Sequence, residues 1–266
     1  MIRLTDQEFH EFVRFIRTNF GINLEKKRLL IEARLFSVLA EKKISSFTQY
    51  FHLIQSNPNE LNKMMDRLTT NHTYFMREPR HFEFLKDVIL PNLTKNRRDK
   101  CLRIWSAGCS TGEEAYTMVM VMKDWFGPMS DWDYRVLATD ISTRVLQEAQ
   151  TGTYLQGSLE NLPAMWKAKY FRKKEEQVYE LSDEIRKEVI FRKLNLMEPF
   201  PFQQPFDFIF CRNVMIYFNQ TTKNELIQKF YNCLIPGGYL LIGHSETVQR
   251  DTVPFRYIEP SIYQKG

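Results

Sequence analysis

Residues 104–114 read Ile-Trp-Ser-Ala-Gly-Cys-Ser-Thr-Gly-Glu-Glu, an apolar run that ends in small residues and leads into a helical pattern. This pattern predicts a strand, a tight turn and a helix whose amino terminus offers unpaired N–H groups to a ligand. No Gly-Lys-Ser/Thr follows, so the segment is not a Walker loop. Glu113 and Glu114 would repel a polyphosphate and would suit a ligand that bears positive charge. A plain strand-to-helix turn is the alternative for this segment taken alone.

The alternation of apolar runs and amphipathic helices continues to residue 266 and predicts an α/β fold with a mostly parallel sheet. Residues 152–190 interrupt it, and their VYEL and EVIF segments could form strands of a small antiparallel insert. The predicted strands are 102–106, 135–139, 188–194, 206–211 and 239–243, with 257–263 as a possible edge, and the predicted helices are 112–125, 142–150 and 221–234.

Before residue 98 the periodicity is helical. Thr5 and Glu8 have capping-box spacing, and apolar residues then recur on one face as far as Gly21. Further helices are predicted at 24–42, 46–55, 59–69 and 79–94, with Lys27 and Arg34 on an outer face of the first of these. We therefore expect an all-helical domain over 1–75, a linker and connecting helix over 76–97, and a ligand-binding domain over 98–266.

The composition is that of an ordinary globular protein, with 266 residues, 43% of them hydrophobic and 26% charged. The net charge of +5 is spread thinly and does not indicate the concentrated basic face of a nucleic-acid binder. The first twenty residues contain no continuous apolar run, and no later stretch is long enough to span a bilayer, so we expect a cytoplasmic protein without membrane insertion. The four cysteines form no CxxC pair and His72 and His244 are isolated in sequence, so no metal site is expected.

Polar residues also follow the second and third predicted strands. Asp140 stands where nucleotide-binding sheets place an acid that accepts hydrogen bonds from ribose hydroxyls, although a helix cap is the alternative, since Ser142 follows. Asn195 and Leu196 could present an amide and a backbone group to an adenine edge, or Asn195 could simply form a turn. The carboxyl ends of parallel strands meet at one edge, so these residues are expected to share a crevice.

Arg212 and Asn213 directly follow the fourth predicted strand and are expected to lie in the same crevice, and Tyr217 stands a few residues further on. Aromatic residues are abundant in this chain, with 21 Phe and 12 Tyr, so a buried structural role is the alternative for Tyr217.

Five long motifs follow one another in this chain: TTNHTYFMRE (69–78), WSAGCSTGEEAY (105–116), ATDIS (138–142), FDFIFCRNVMIYF (206–218) and LIPGGYLLIGHSE (234–246). Taken in order, they resemble the chemotaxis-receptor glutamate O-methyltransferases, the CheR type. The resemblance covers almost the whole chain, including the helical front domain and the insert. It implies a class I, Rossmann-like methyltransferase fold. It also implies transfer of a methyl group from S-adenosylmethionine to glutamate carboxylates on the cytoplasmic rods of transmembrane chemoreceptors, with S-adenosylhomocysteine as product.

The resemblance also implies roles for individual residues. Glu114 would face the methionine ammonium group, Asp140 would hold the ribose, and Asn195 with Leu196 would flank the adenine. Arg77 and Tyr217 would lie beside the transferred methyl group and are the predicted catalytic residues. The predicted cofactor-binding residues are Asn71, Thr73, Arg77, Gly108, Glu114, Asp140, Asn195, Leu196, Arg212 and Asn213.

Two departures from the family pattern bear on partners. Residues 172–177, which correspond to the insert hairpin, contain no glycine and look shorter than in members that dock on a receptor's carboxyl-terminal tether. This favours independence of the tether peptide. The second helix carries mainly lysines where the family's receptor-facing side can be rich in arginine. Acidic receptor helices are plausible partners of this helix, with an ordinary solvated face as the alternative.

Two other functions stay open from the residues alone. A class I methyltransferase of this architecture could act on a small molecule or a nucleic acid, because a fold does not fix the substrate. A non-catalytic scaffold could bind S-adenosylmethionine and regulate a signalling complex without transferring a methyl group.

Overall fold

The computed structural model describes residues 2–69, 71–95, 97–128, 130–249 and 252–266. Its amino-terminal part consists of α1 (Asp6–Phe20), α2 (Arg28–Glu41), α3 (Phe47–Ser56) and α4 (Pro58–Leu68). Thr5 and Glu8 form the capping box predicted for the first helix, and that helix ends at Gly21 in the left-handed region. The four helices bury a core of their own, which includes Ile16, Ile31, Leu35, Leu39, Tyr50 and Met64.

The second helix differs from its prediction in two respects. It begins at Arg28 because Leu24 to Lys27 forms a turn, closed by a hydrogen bond from the Lys27 N–H to the Leu24 carbonyl at 2.9 Å. Arg34 does not lie on an outer, solvated face. Its guanidinium donates to the Leu68 carbonyl at 2.5 Å and ties α2 to the end of α4. The last carbonyls of a helix have no partner within the helix, and Arg34 supplies one.

The connecting segment predicted as one helix over 79–94 has three parts. They are α5 (Arg80–Phe84), a π-helical turn (Leu85–Ile89) and α6 (Leu90–Thr94). The helix widens in the turn just before Pro91, which has no N–H to give to the helical ladder.

A seven-stranded sheet follows, in the order β6-β2-β1-β7-β8-β10-β9. Strands β6, β2, β1, β7 and β8 pair in parallel, whereas β10 pairs antiparallel with β8 and β9. The strands are β1 (Ile104–Ala107), β2 (Val136–Asp140), β6 (Val189–Lys193), β7 (Phe206–Cys211), β8 (Leu234–Ile242), β9 (Phe255–Glu259) and β10 (Ile262–Lys265), and the flanking helices are α7 (Glu113–Phe126), α8 (Thr143–Thr151) and α11 (Gln220–Cys233).

Both faces of the sheet are buried, as parallel sheets require. Alternation along β1 sends Ile104 to one face and Trp105 to the other. Trp105 is fully buried and packs against several phenylalanines, among them Phe206 and Phe230. The fifth strand was predicted over 239–243 but begins earlier, at Leu234, because Leu234 already pairs with Phe206 and a register shift absorbs the glycines that follow.

The insert is a three-stranded antiparallel sheet in the order β3-β5-β4. Its strands are β3 (Thr153–Leu155), β4 (Phe171–Glu175) and β5 (Val178–Leu181), and it also contains α9 (Ala164–Tyr170) and α10 (Asp183–Arg186). VYEL is the predicted insert strand β5, whereas EVIF belongs to β6 of the main sheet. Most of the 172–177 stretch is strand β4, so only Glu176 and Gln177 connect it to β5. None of the described helices is long and apolar enough to cross a membrane.

Candidate active site

A cavity lies at the carboxyl ends of β1, β2, β6 and β7 and is covered by residues of the helical domain. All eleven residues predicted for the cofactor site and for catalysis line it. Thr70, which belongs to the same motif as Asn71, lies outside the described residues. The eleven are Asn71, Thr73, Arg77, Gly108, Glu114, Asp140, Asn195, Leu196, Arg212, Asn213 and Tyr217.

The turn after β1 requires glycine at position 108. Gly108 has a φ of +86°, and a Cβ atom there would lie 2.3 Å from a methyl carbon of Val214. Its N–H donates to the Thr139 carbonyl at 2.8 Å, which fixes the turn against β2. The backbone of the first turn therefore lies directly against the loop that leaves β7.

Asp140 is held at the end of β2 by two backbone donors. Its carboxylate accepts hydrogen bonds from the N–H groups of Ser110 at 2.9 Å and Ser142 at 3.0 Å. Ser142 itself caps α8 through a hydrogen bond from the Val145 N–H, so Asp140 is not the helix cap. Burial raises the pKa of Asp140 although the backbone donors oppose the shift. The carboxylate faces the cavity, where it can accept hydrogen bonds from a pair of hydroxyls.

Glu114 and Arg212 form an ion pair inside the cavity. Nη1 of Arg212 lies 3.3 Å from Oε2 of Glu114, and the Ser106 hydroxyl donates to Oε1 at 2.7 Å. Burial raises the pKa of Glu114, and the Arg212 guanidinium opposes that shift. Both signs of charge are thus presented together, which suits a ligand group that is itself a zwitterion.

Arg77 lies between two residues with left-handed backbone, Met76 at φ +59° and Glu78 at φ +56°. Left-handed backbone at two non-glycine residues so close together costs conformational free energy. Such a segment persists only when its surroundings hold it in place. The Arg77 guanidinium donates to the His72 carbonyl at 2.7 Å, and its own carbonyl accepts a hydrogen bond from Arg212.

Glu78 holds this segment and was not predicted as a site residue. Its carboxylate lies 3.2 Å from Nη2 of Arg212 and accepts a hydrogen bond from the Asn213 side-chain amide at 3.2 Å. Burial raises the pKa of Glu78, but the Arg212 guanidinium and the Asn213 amide outweigh it and hold the pKa below its usual value.

His244, expected to be isolated, lies beside Glu78 and the buried His81, and the two histidine ring centroids are 4.9 Å apart. The ligand atoms of these three side chains lie within 4.8 Å of one another. The Glu78 carboxylate, however, is already neutralised by Arg212. Burial lowers the pKa of His81 to about 3, so this side chain is neutral.

Asn195 and Leu196 are at the cavity, but the Asn195 carboxamide is engaged within the protein. Its Nδ2 donates to the Asn19 carbonyl at 2.8 Å, and its Oδ1 accepts the Met197 N–H at 3.1 Å. The side chain therefore links the segment after β6 to the end of α1. An adenine contact at this position would have to come from the backbone or from the Leu196 side chain.

The helical domain completes the wall beside Tyr217. The Tyr217 carbonyl accepts a hydrogen bond from the Asn23 N–H at 2.7 Å, and Ile22 pairs with Phe218 in an isolated antiparallel bridge. Phe20 and Ile22 line the cavity and were not predicted from the sequence. Apolar residues at these positions would be equally expected in the core of the helical domain, so the sequence does not show whether they pack in that core or line the cavity. Glu78, by contrast, stands in one of the quoted motifs and could have been found there.

The residues present fit S-adenosylmethionine. Gly108 has no side chain, and the turn has no space for a Cβ atom at this position, so a ligand can approach the backbone closely. Asp140 offers acceptors for the two hydroxyls of a ribose. Glu114 and Arg212 offer opposite charges for an amino acid group. The apolar wall of the cavity includes Leu194, Leu196 and Ile141.

The fold and this cavity are those of a class I methyltransferase, with a Rossmann-like, mostly parallel sheet that binds its ligand beyond the strand ends. Residues 71–263 match the protein family described as "CheR methyltransferase, SAM binding domain", and residues 7–69 match "CheR methyltransferase, all-alpha domain". The chain belongs to the CheR methyltransferase family and is an S-adenosylmethionine-dependent methyltransferase.

Curated relatives extend over nearly the full length of the chain. It is 45% identical to a chemotaxis protein methyltransferase of Borreliella burgdorferi, covering 100% of this chain and 96% of the relative. It is 37% identical to the chemotaxis protein methyltransferase of Escherichia coli, covering 92% and 86%. It is 35% identical to chemotaxis protein methyltransferase 2 of Vibrio cholerae, covering 94% and 88%.

Proposed function

We propose that this enzyme methylates glutamate side chains on the cytoplasmic rods of chemoreceptors and so takes part in chemotactic adaptation. The observation that carries the proposal is the meeting of Arg77 and Tyr217 with Glu114 and Asp140 in one cavity. The names of the relatives, chemotaxis protein methyltransferases, support a substrate from the chemotaxis system.

Within that cavity we assign the predicted residues as follows. Asp140 accepts hydrogen bonds from the ribose of S-adenosylmethionine, and the Glu114–Arg212 pair binds the amino acid end of the cofactor. Gly108 and Asn213 supply backbone and amide contacts, and the ten predicted cofactor-binding residues form the site together. When bound, the cofactor supplies an electrophilic methyl group on a positively charged sulfur.

A glutamate substrate needs no general base from the protein. Its carboxyl group has an unperturbed pKa of about 4.3 and is therefore anionic at neutral pH. The protein's task is to align the carboxylate oxygen with the methyl carbon and to exclude water, and alignment of this kind can contribute about 7–11 kcal/mol. Arg77, anchored by the His72 carbonyl, and the Tyr217 hydroxyl can orient the carboxylate.

The receptor would approach across the amino-terminal domain and the cavity opening. Lys26, Lys27 and Lys43 are exposed around α2 and can attract acidic receptor helices, whereas Lys42 pairs with the buried Glu60 at 3.0 Å. Arg34 is engaged with the Leu68 carbonyl and does not contribute to this surface.

We further propose that receptor recognition does not depend on a carboxyl-terminal tether peptide. The two-residue connection at Glu176 and Gln177 supports this, because it leaves little loop for a peptide to bind. Isothermal titration with a receptor-tail peptide is expected to give no heat, and micromolar binding would contradict the proposal.

The function is tested with receptor-containing membranes and S-adenosylmethionine labelled on its methyl group. We expect label in base-labile methyl esters of the receptor, and S-adenosylhomocysteine should bind the purified enzyme in calorimetry. Binding without any transfer would indicate a signalling scaffold, and transfer only to small molecules or nucleic acid would indicate another substrate class.

A further inference from the structure

Glu246 is a buried carboxylate in the turn that follows β8, with 4% of its surface exposed. Its Oε2 accepts hydrogen bonds from the backbone N–H groups of Gly243 at 2.6 Å and Asn213 at 3.0 Å. Its Oε1 accepts the N–H of Ile216 at 3.1 Å. One side chain therefore satisfies three backbone donors in two separate segments of the chain.

Two of these donors belong to the loop that carries Tyr217. This loop leaves β7 at Asn213, whose φ is +59°, and contains the short 3-10 turn Met215–Tyr217. Left-handed backbone at a non-glycine residue costs free energy and persists only when its surroundings fix it. Burial raises the pKa of Glu246, and the backbone N–H groups oppose that rise by donating to its carboxylate oxygens. Hydrogen bonds of this kind are among the stronger ones in proteins. Glu246 therefore supplies the restraint that this loop conformation needs.

Other contacts hold the same loop from its other sides. The Tyr217 carbonyl accepts the Asn23 N–H at 2.7 Å, and the Asn213 side chain donates to Glu78 at 3.2 Å. Of these groups, Glu246 is the one that binds both the beginning of the loop, at Asn213, and the turn next to Tyr217, at Ile216. It fixes the separation between these two points.

We propose that Glu246 is a positioning residue for methyl transfer, which fixes the loop between Asn213 and Ile216 and so holds Tyr217 at the reacting carboxylate. It does not line the cavity, so it acts through the loop and not on the substrate. The proposal rests on the proposed function, in which Tyr217 orients the glutamate carboxylate.

The test is Glu246→Gln, which keeps the shape of the side chain but replaces one acceptor oxygen by an NH2 group. At least one of the three backbone donors then loses its partner. We expect kcat for receptor methylation to fall about 10–100-fold. This is the change in rate that corresponds to losing the free energy of one hydrogen bond to a charged group. The KM for S-adenosylmethionine should change less than about threefold, because Glu246 does not touch the cavity.

A double variant separates positioning from a general weakening of the protein. In a Tyr217→Phe background, Glu246→Gln should lower kcat further by less than about threefold, since the hydroxyl it positions is already gone. An equal loss in both backgrounds, or wild-type kcat in Glu246→Gln, would overturn the proposal. Glu246→Asp keeps the charge and should lose less activity than the Gln variant.

Asp207 provides a matched control at the opposite end of β7. It is also a buried carboxylate that accepts a backbone N–H, from Arg103 at 2.7 Å, and it pairs with Arg97. Asp207→Asn should lower the melting temperature while kcat stays close to that of the wild type. A similar loss of kcat in this control would assign both effects to stability and overturn the proposal.

Hydrogen exchange without cofactor tests the positioning independently of activity. Peptides that contain Asn213 and Ile216 should exchange faster in Glu246→Gln than in the wild type and should be unchanged in Asp207→Asn. Unchanged exchange in the Glu246→Gln variant would overturn the proposal. A wild-type enzyme that fails to methylate receptors would contradict the proposed function but would leave this exchange result intact.

Discussion

Glu113 shows how one buried residue makes stability depend on pH. Burial raises its pKa to about 7, and the hydrogen bond from the Thr111 hydroxyl opposes the shift. In the unfolded chain the carboxyl loses its proton near pH 4.3, with the value taken as about that of a model peptide. Between these values the folded state binds more protons than the unfolded state, so stability falls as pH rises.

Glu113→Gln should remove this dependence. At about pH 4 the variant and the wild type should have similar stability, and above about pH 7 the variant should be more stable by up to about 3 kcal/mol. Urea unfolding at several pH values measures the difference. Glu160→Gln, at an exposed position, is the control and should change stability little at either pH. A constant difference between the Glu113→Gln variant and the wild type across this range would contradict the prediction.

Arg77 and Tyr217 are the residues on which the chemistry depends most. Arg77→Ala should lower kcat about 100-fold or more, because the carboxylate loses its orienting group. Tyr217→Phe removes one hydroxyl and should lower kcat about 10–100-fold. Single-turnover assays with saturating cofactor measure both. Tyr257→Phe, at an exposed tyrosine of β9, should leave the rate unchanged. A normal rate in Arg77→Ala would remove that residue from the mechanism.

At the scale of elements, the turn between β1 and α7 gives the sharpest prediction. Gly108 and Gly127 both have positive φ, +86° and +79°, but of the two it is Gly108 that faces a neighbour within 4 Å of an added Cβ atom. Alanine costs on the order of 1–3 kcal/mol in backbone conformation at either position, since Gly127, with ψ 173°, lies in a region that is essentially restricted to glycine. Only Gly108→Ala also places a Cβ atom against the side chain of Val214, which lines the cavity.

We therefore expect Gly108→Ala to weaken S-adenosylhomocysteine binding by at least about tenfold, whereas Gly127→Ala binds normally. Calorimetric titration gives the affinities, and thermal unfolding gives the stabilities of both variants. Equal affinity in the two variants would show that the cofactor does not need the close approach of the turn and the loop after β7.

Most elements could be predicted because local patterns and tertiary structure agree in them. The capping box at Thr5 and the apolar run of β7 are examples, and both are observed at the predicted positions. The start of β8 was predicted too late, because its pairing through Leu234 is a long-range contact. The hydrogen bond from Arg34 to the Leu68 carbonyl is long-range as well. A basic residue on a helix is predicted to be exposed to solvent unless the neighbouring element is known.

At the scale of the whole molecule, the cavity is closed by two parts of the chain. The eleven predicted residues could be found because they follow strand ends or stand in long motifs. Phe20 and Ile22 could not be, since their place at the cavity depends on how the helical domain lies on the sheet. Lys193 and Asn62 join the two parts through a hydrogen bond at 2.5 Å, and Asn195 joins them through Asn19.

We expect this cover to open when the cofactor enters, and the thiol of Cys109 should then report the opening. Cys109 lines the cavity and is buried, whereas Cys211 is equally buried but does not line the cavity. A thiol reagent should therefore modify Cys109 faster than Cys211. S-adenosylhomocysteine at about 100 times its Kd should slow the modification of Cys109 about 100-fold, because it binds only the closed form.

Asn62→Ala removes the hydrogen bond with Lys193 and should favour the open form. Mass spectrometry of the modified peptides should then show faster labelling of Cys109 and an unchanged rate at Cys211. The half-exposed Cys101, at the other end of β1, serves as a control for the reactivity of the reagent. Equal acceleration at Cys109 and Cys211 would mean that the two thiols become accessible by unfolding of the whole domain. In that case the helical part would not act as a separate cover for the cofactor.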